Sequence, residues 1–238
     1  MVKPSSPSGA ATATSAGTST GASGGGSGPA ASMGSTGGVP ENPRRAQIRR
    51  EAARLFAERG FLGVGVDEIG RAVGISGPGL YRHFAGKDAM LADLLIGISE
   101  RLLEQGRRRV DASTDPREAL ESLLQCHIDF ALDESALITL HDRELLNLPD
   151  RERRQVRSLQ RQYVELWVGV ASDVFPGLGE EARPAVHAVF GLLNSTPHSA
   201  AAGPSVAGHP DGRAAMAALL HRLALGALGA AAAEQAGR

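Results

Sequence analysis

An all-α fold, in which a small three-helix unit precedes a larger helical body, is the class this sequence predicts. Three observations predict it. From residue 43 onward, apolar residues recur at alternating spacings of three and four, the period of a helix with one buried face. No hairpin signature or strand-like alternation interrupts them. Between Val66 and Phe84, two short helical segments are punctuated by Gly74 and Ser76, one residue that ends a helix and one that begins the next.

Residues 1–40 lie outside this pattern. They are almost wholly Gly, Ser, Ala, Thr and Pro, with Lys3 their only charge. Such a segment cannot bury enough apolar surface to offset chain entropy, so a disordered tail is expected. Its polar interruptions deny it the apolar run of a secretory signal. No later stretch offers about twenty uninterrupted apolar residues, because His221 and Arg222 break the best one. A cytoplasmic protein with no membrane partner is the expectation. The single cysteine, Cys126, excludes an intrachain disulfide framework. Charge divides unevenly: residues 41–90 hold nine basic against six acidic groups, a net +3, whereas 91–238 carry a net −5. A basic unit on an acidic body is what arises when one end faces phosphates.

The first helix opens with Asn42 as cap and Pro43 as its first residue, carries the stripe Ile48, Ala52, Leu55 and Phe56, and ends at Arg59-Gly60. Gly60-Phe61-Leu62-Gly63 links it to a two-turn helix with Ile69, Ala72 and Val73 on one side. Gly74 supplies the left-handed residue that stops this helix. Ser76 then caps a new one, in which Pro78 is harmless because first-turn amides have no intrahelical partner. Two helices joined by so short a Gly-containing turn cross steeply, which makes this a helix-turn-helix.

The spacing from Ile69 through Gly74 to Leu80-Tyr81, followed by His83-Phe84-x-x-Lys87, resembles the DNA-binding domain of the TetR/AcrR regulators over roughly residues 43 to 95. The resemblance implies a DNA-binding domain at 41–88, a helical effector-binding and dimerisation domain at 89–238, and a double-stranded DNA operator as partner. It assigns phosphate contacts to His83 and Lys87, and the nearby Arg44 and Arg45 are expected to join them. Ser76 and Gly79 lie at the start of the reading helix, where glycine permits close backbone approach. Gly77-Pro78-Gly79 offers no side chain to a base edge, so base reading falls on Arg82, with Tyr81 beside it. Where many family members have Thr, this chain has Val66, and Asp67 is expected to cap one residue later.

From Lys87 the helices lengthen. Leu91, Leu94, Leu95, Ile98 and Leu102 stripe the fourth, expected to end near Gly106. Pro116 opens a fifth with Leu120, Leu123, Leu124, His127, Ile128 and Ala131 buried. A short sixth contains Leu137 and Leu140, and Leu148-Pro149 breaks the chain. The seventh, about 149 to 175, buries Val156, Leu159, Tyr163, Leu166, Trp167, Val170 and Val174, opposite Arg153, Arg154, Arg157 and Arg161. The last two helices are expected at roughly 180 to 201 and 211 to 235, with a loop from Gly203 to Pro210 between them. The final one is apolar nearly all round, which requires a partner. The resemblance implies that this partner is a second copy, in a homodimer built from the last two helices.

A ligand cavity in such a body is lined by large apolar groups with a few polar ones. Phe130, Tyr163, Trp167 and Phe190 are the apolar candidates, and His127, Asn194 and His198 the polar ones. Together they favour an amphipathic, mainly apolar effector. The Arg143-Glu144-Leu145-Leu146 segment with the Arg-rich seventh helix is similar to actinobacterial regulators of lipid degradation, which implies an acyl-CoA-like inducer. The contrasting reading is a metal-dependent helical enzyme using His127, Asp129, Asp133, His141 and Asp142. The chain lacks His-Glu-x-x-His and the repeated Glu-x-x-His of di-iron bundles, so no catalytic residue, metal or cofactor is expected.

Overall fold

The computed structural model describes residues 42–195 and 212–236. The segment 1–40, His198 and the expected loop from Gly203 to Pro210 lie outside these residues. Among the described residues the regular structure is entirely helical.

Helix α1 (Pro43–Arg59) is capped by Asn42, whose Oδ1 accepts from the Arg44 amide at 2.9 Å, and it ends at Gly60 with φ 76°. Helix α2 (Val66–Ala72) starts after Gly65 with no side-chain cap. The expected Asp67 cap is therefore absent: Asp67 already lies in the first turn, where the helix dipole favours a carboxylate, and that carboxylate lies against Gly77. Gly74, at φ 71°, makes the turn. Ser76 caps α3 (Gly77–Leu80), its Oγ accepting from the Gly79 amide at 3.3 Å. Gly70 is required by the same turn, since the Ile75 amide donates to its carbonyl at 2.9 Å and an added Cβ would stand 2.8 Å from the Ile75 oxygen.

Helix α4 (Lys87–Ala112) runs straight through Gly106 instead of ending there. That glycine serves packing: a Cβ would meet Tyr163 at 2.9 Å, Leu166 at 3.1 Å and Leu123 at 3.3 Å, so its absence lets three helices approach. Helix α5 (Pro116–Asp133) is capped by Asp115, and α6 (Ser135–Glu144) follows after one residue. A 3-10 turn (Leu145–Asn147) leads to α7 (Asp150–Val174), and a second (Pro176–Glu181) leads to α8 (Ala182–Leu193). The last helix, α9, spans Gly212–Ala236.

One apolar cluster joins Ile48, Phe56, Phe61, Ile69, Leu80 and Phe84 to Leu91 and Leu95 of α4, and on to Leu140, Leu148 and Val156. The core of the first three helices thus continues into α6 and the start of α7. A second cluster holds the body together around Leu120, Leu124, Tyr163, Trp167, Val186 and Leu193. Helix α9 joins it through Leu220, Ala224 and Leu228, one stripe at a spacing of four. Its other side is apolar and open, with Leu219 40% and Leu223 46% exposed. Within one chain α9 is therefore buried on one face only. Gly212–Glu234, with mean hydropathy 1.5, is long and apolar enough to cross a membrane by length and composition, although its buried stripe packs against the body.

Candidate DNA-binding surface and effector cavity

The turn after α3 presents Tyr81, 56% exposed, and the exposed Arg82, while Leu80 and Phe84 on either side are buried in the core. Two buried anchors flanking two exposed side chains fix the direction in which Tyr81 and Arg82 project. His83 is half-buried, and its carbonyl accepts from Arg45 Nη1 at 3.0 Å. Arg44 is half-buried too, its guanidinium donating to Gln47 Oε1 at 2.8 Å. Ser76 spends its hydroxyl on the Gly79 amide.

Arg45 and Lys87 have intramolecular partners where the sequence predicts phosphate contacts. Arg45 lies 2.6 Å from Asp93 Oδ1 and 4.3 Å above the Phe84 ring, and Arg49 pairs with the same carboxylate at 2.9 Å. This clamps α1 to α4. Lys87 Nζ donates to the carbonyls of Phe61 at 2.8 Å and Val64 at 3.0 Å, and sits 4.4 Å over the Phe61 ring. The link between α1 and α2 buries Phe61 and Val64, so their carbonyls need a donor, and the first residue of α4 supplies it.

A cavity of about 280 Å³ opens among α4, α5, α6, α7 and α8. Of the candidates read from the sequence, His127, Phe130, Tyr163, Phe190 and Asn194 line it. Trp167 does not: it is fully buried behind the wall, its ring centroid 5.0 Å from Phe190 and 6.0 Å from His127. Trp167 stands four residues beyond Tyr163 and packs between His127 of α5 and Phe190 of α8. His127 bridges Tyr163 Oη, 3.3 Å from Nδ1, and Asn194 Oδ1, 3.0 Å from Nε2. Burial pushes its pKa down to about 4, so the ring is neutral, with Nε2–H donating to Asn194 and Nδ1 accepting from the Tyr163 hydroxyl. Burial likewise pushes the Tyr163 phenol up, which keeps that hydroxyl a donor. The cavity therefore offers an apolar wall with one uncharged polar patch.

Sequence reasoning missed Ser99 and Leu102 of α4, Leu137, Ile138, His141 and Asp142 of α6, and Gln160 of α7. Ser99 gave a usable signal, a polar residue one turn after Leu95 on an otherwise apolar face. Glu144, at the end of α6, was missed as well. Its buried carboxylate accepts from the Phe61 amide at 3.1 Å through Oε1 and from Asn147 Nδ2 at 2.5 Å through Oε2. The same Phe61 thus receives Glu144 at its amide and Lys87 at its carbonyl. Two walls of the cavity, α6 and α4, both end in hydrogen bonds to the link between α1 and α2.

The alternative metal centre finds no support in the geometry. His127 faces inward to Tyr163 and Asn194, whereas Asp129 and Asp133 face outward and hold Arg213 at 3.0 and 2.7 Å. Among the described residues, no group of three or more His, Cys, Asp or Glu side chains is placed to hold a metal ion.

Residues 48–94 match the family described as bacterial regulatory proteins, tetR family, and residues 113–198 match the tetracyclin repressor-like C-terminal domain. The HTH-type transcriptional repressor KstR2 of Mycobacterium tuberculosis is 31% identical over 133 residues, which are 56% of this chain and 66% of that protein. The aligned part thus spans just under two thirds of that relative. Among solved structures, a TetR-family transcriptional regulator from Bordetella parapertussis superposes with a TM-score of 0.68 at 23% identity, covering 78% of this chain and 95% of the other. AibR, solved in complex with isovaleryl coenzyme A and operator DNA, superposes with a TM-score of 0.61 at 21% identity over 75% of this chain and 98% of that one. By its helix-turn-helix, its helical body and these matches, the chain belongs to the TetR family of bacterial regulatory proteins.

Proposed function

We propose that the chain is a homodimeric transcriptional repressor that a mainly apolar small molecule releases from its operator. One observation carries this reading: the exposed Tyr81-Arg82 surface and the apolar cavity are joined through α4 and α6, both of which bond to Phe61. Arg82 reads a base by a bidentate bond to guanine, and Tyr81 adds van der Waals or phosphate contact. His83, Arg44 and the backbone at Gly79 hold phosphates. Arg45 and Lys87 keep this surface in shape from behind.

The open apolar face of α9, with α8 beside it, is the dimer surface in this reading. Two copies then present their reading helices to successive major grooves about 34 to 36 Å apart. An effector lodged against Phe130, Tyr163 and Phe190, with its polar group on His127 or Asn194, displaces α4 and α6. Through Glu144 and Lys87 that displacement moves the α1–α2 link, and the half-site spacing is lost. A ligand achieves this only by binding the DNA-incompetent state more tightly. Relatives support the regulatory half of the reading, since KstR2 carries the description of a repressor. The solved AibR complex supports the ligand half, because its occupants are an acyl thioester and operator DNA. Such a protein works in the cytoplasm, beside the chromosome.

The test uses the only tryptophan. Trp167 stands directly behind Phe190, so a medium- or long-chain acyl compound should change its emission and weaken operator binding over one concentration range. Phe190→Ala and Tyr163→Ala should shift that response while sparing operator affinity. Variants that only melt earlier, with an unchanged response, would place the effector site elsewhere.

A further inference from the structure

Among the described residues that line the effector cavity, none is Lys or Arg, and the one acid, Asp142, is exposed. His141 accepts from Gln160 through Nε2 and turns Nδ1 toward Asp142 at 3.7 Å, so an anion approaching that ring also meets a carboxylate. His187 is exposed, where water and salt screen whatever charge it carries. Ser99 spends its hydroxyl on the Leu95 carbonyl at 2.8 Å. What remains is the uncharged patch of His127, Tyr163 and Asn194, in which the hydrogen bonds run in one direction. Tyr163 Oη donates to His127 Nδ1 at 3.3 Å, and His127 Nε2 donates to Asn194 Oδ1 at 3.0 Å. The relay ends at the side-chain nitrogen of Asn194, which has no acceptor among the described residues. Asn194 is half-buried on the cavity wall, so its Nδ2 is a donor within reach of a ligand. Behind the wall, the buried Trp167 Nε1 has no hydrogen-bond partner either. This patch therefore offers donors that the protein leaves unspent, and no charge to balance an ion.

We infer that the group recognised inside the cavity is an uncharged acceptor oxygen, a ketone- or ester-type carbonyl bonded to Asn194 Nδ2, and that the cavity rejects carboxylates and ammonium groups of the same size. This rests on the effector reading above and adds to it the chemistry of the recognised group. A carbonyl takes the donor on offer, and the bond replaces the one it gave to water. A carboxylate would accept the same bond, but it would leave its hydration behind with no cation to replace it, the costliest way to bury a polar group. An ammonium carries donors only and would set them against the Asn194 donor. His127 is the positioning residue behind this selection. By occupying Asn194 Oδ1, it keeps Nδ2 for the ligand.

The experiment compares decan-2-one, nonanoate and nonylamine, which share one alkyl tail and differ at the head, as agents that release full-length protein from its operator, with Trp167 emission recorded in parallel. Decan-2-one should act at concentrations about tenfold or more below those of either ion. Asn194→Asp keeps an acceptor for His127 but replaces Nδ2 by a carboxylate oxygen. In that variant decan-2-one should lose about fivefold or more in potency, and nonylamine should overtake it. Melting curves establish that the variant is folded, and the ranking on the wild-type protein decides the charge rule whether or not it is. Equal or greater potency of nonanoate or nonylamine on the wild-type protein overturns the inference while leaving the cavity reading intact. An unchanged ranking in a folded Asn194→Asp variant overturns the assignment to Asn194. If no probe alters either Trp167 emission or operator binding, the cavity reading falls and the inference falls with it.

Discussion

Replacing Lys87 by Met keeps the aliphatic stem and removes the ammonium, which separates two roles for this residue. In the structure Nζ satisfies the carbonyls of Phe61 and Val64, both residues almost fully buried, and sits over the Phe61 ring. A hydrogen bond from a charged donor contributes about 1.5–3 kcal/mol. The cation–π contact adds about 0.5–1 kcal/mol. Lys87 is half-buried, so water recovers part of what is lost, and the net cost should be about 2–4 kcal/mol. For a chain of this size, each kcal/mol lowers the melting temperature by roughly 2–4 °C, so a fall of roughly 4–16 °C is expected. Urea and thermal unfolding measure it, alongside the salt dependence of operator binding. An unchanged midpoint, with weaker DNA binding and a salt slope reduced by about one phosphate, would refute the structural role and restore the phosphate contact that the sequence alone suggests.

Three further outcomes follow from the packing and the buried charge state. Gly70→Ala drives a Cβ to 2.8 Å from the Ile75 carbonyl, so the turn between α2 and α3 must open. Stability should drop by about 1–3 kcal/mol, together with operator affinity, as unfolding and gel-shift titrations would record. His127 has a folded pKa of about 4 because burial disfavours its charged form. Below about pH 6.5 the unfolded chain takes up a proton that the folded chain refuses, so stability falls toward pH 4 by up to roughly 3 kcal/mol and then levels off. His127→Gln should flatten this part of the urea-midpoint profile, and an identical slope in both proteins would contradict the assignment. Leu223→Asp places a charge on the open face of α9 and should yield a helical monomer by analytical ultracentrifugation and circular dichroism. Sedimentation like the wild type would remove α9 from the interface.

Local signals made the helix ends legible. Asn42-Pro43, Gly60, Gly74, Ser76 and Pro116 act through their own backbone preferences, and each stands where those preferences put it. Gly106 misled because a glycine that ends a helix and one that lets helices touch are identical in sequence, and only Tyr163, Leu166 and Leu123 tell them apart. Arg45 and Lys87 have intramolecular partners that the sequence did not signal, for a related reason. Their charges announced an anion, but the partners are Asp93, distant by 48 positions, and two carbonyls left without donors by a tight link. In the cavity, Phe130, Tyr163, Phe190 and His127 were legible from helical spacing, whereas Trp167 lies behind the wall. The contribution of α6 was not legible, because which face of a short helix borders a void depends on how five helices meet. Glu144 lacked any local signature, since its role rests on an amide 83 positions away.

Selection of DNA fragments from the organism's own genome by the purified full-length protein, in parallel with its Arg82→Ala variant, bears most directly on the central reading. Wild-type protein should enrich a palindromic site whose half-sites lie about one helical turn, or a multiple of it, apart. The variant should lose about 1–3 kcal/mol on that site and relax the preference at one base of each half. An enriched site whose base preferences are unchanged in the variant, or the absence of any enriched site, would contradict the assignment of operator reading to the surface formed by Tyr81 and Arg82.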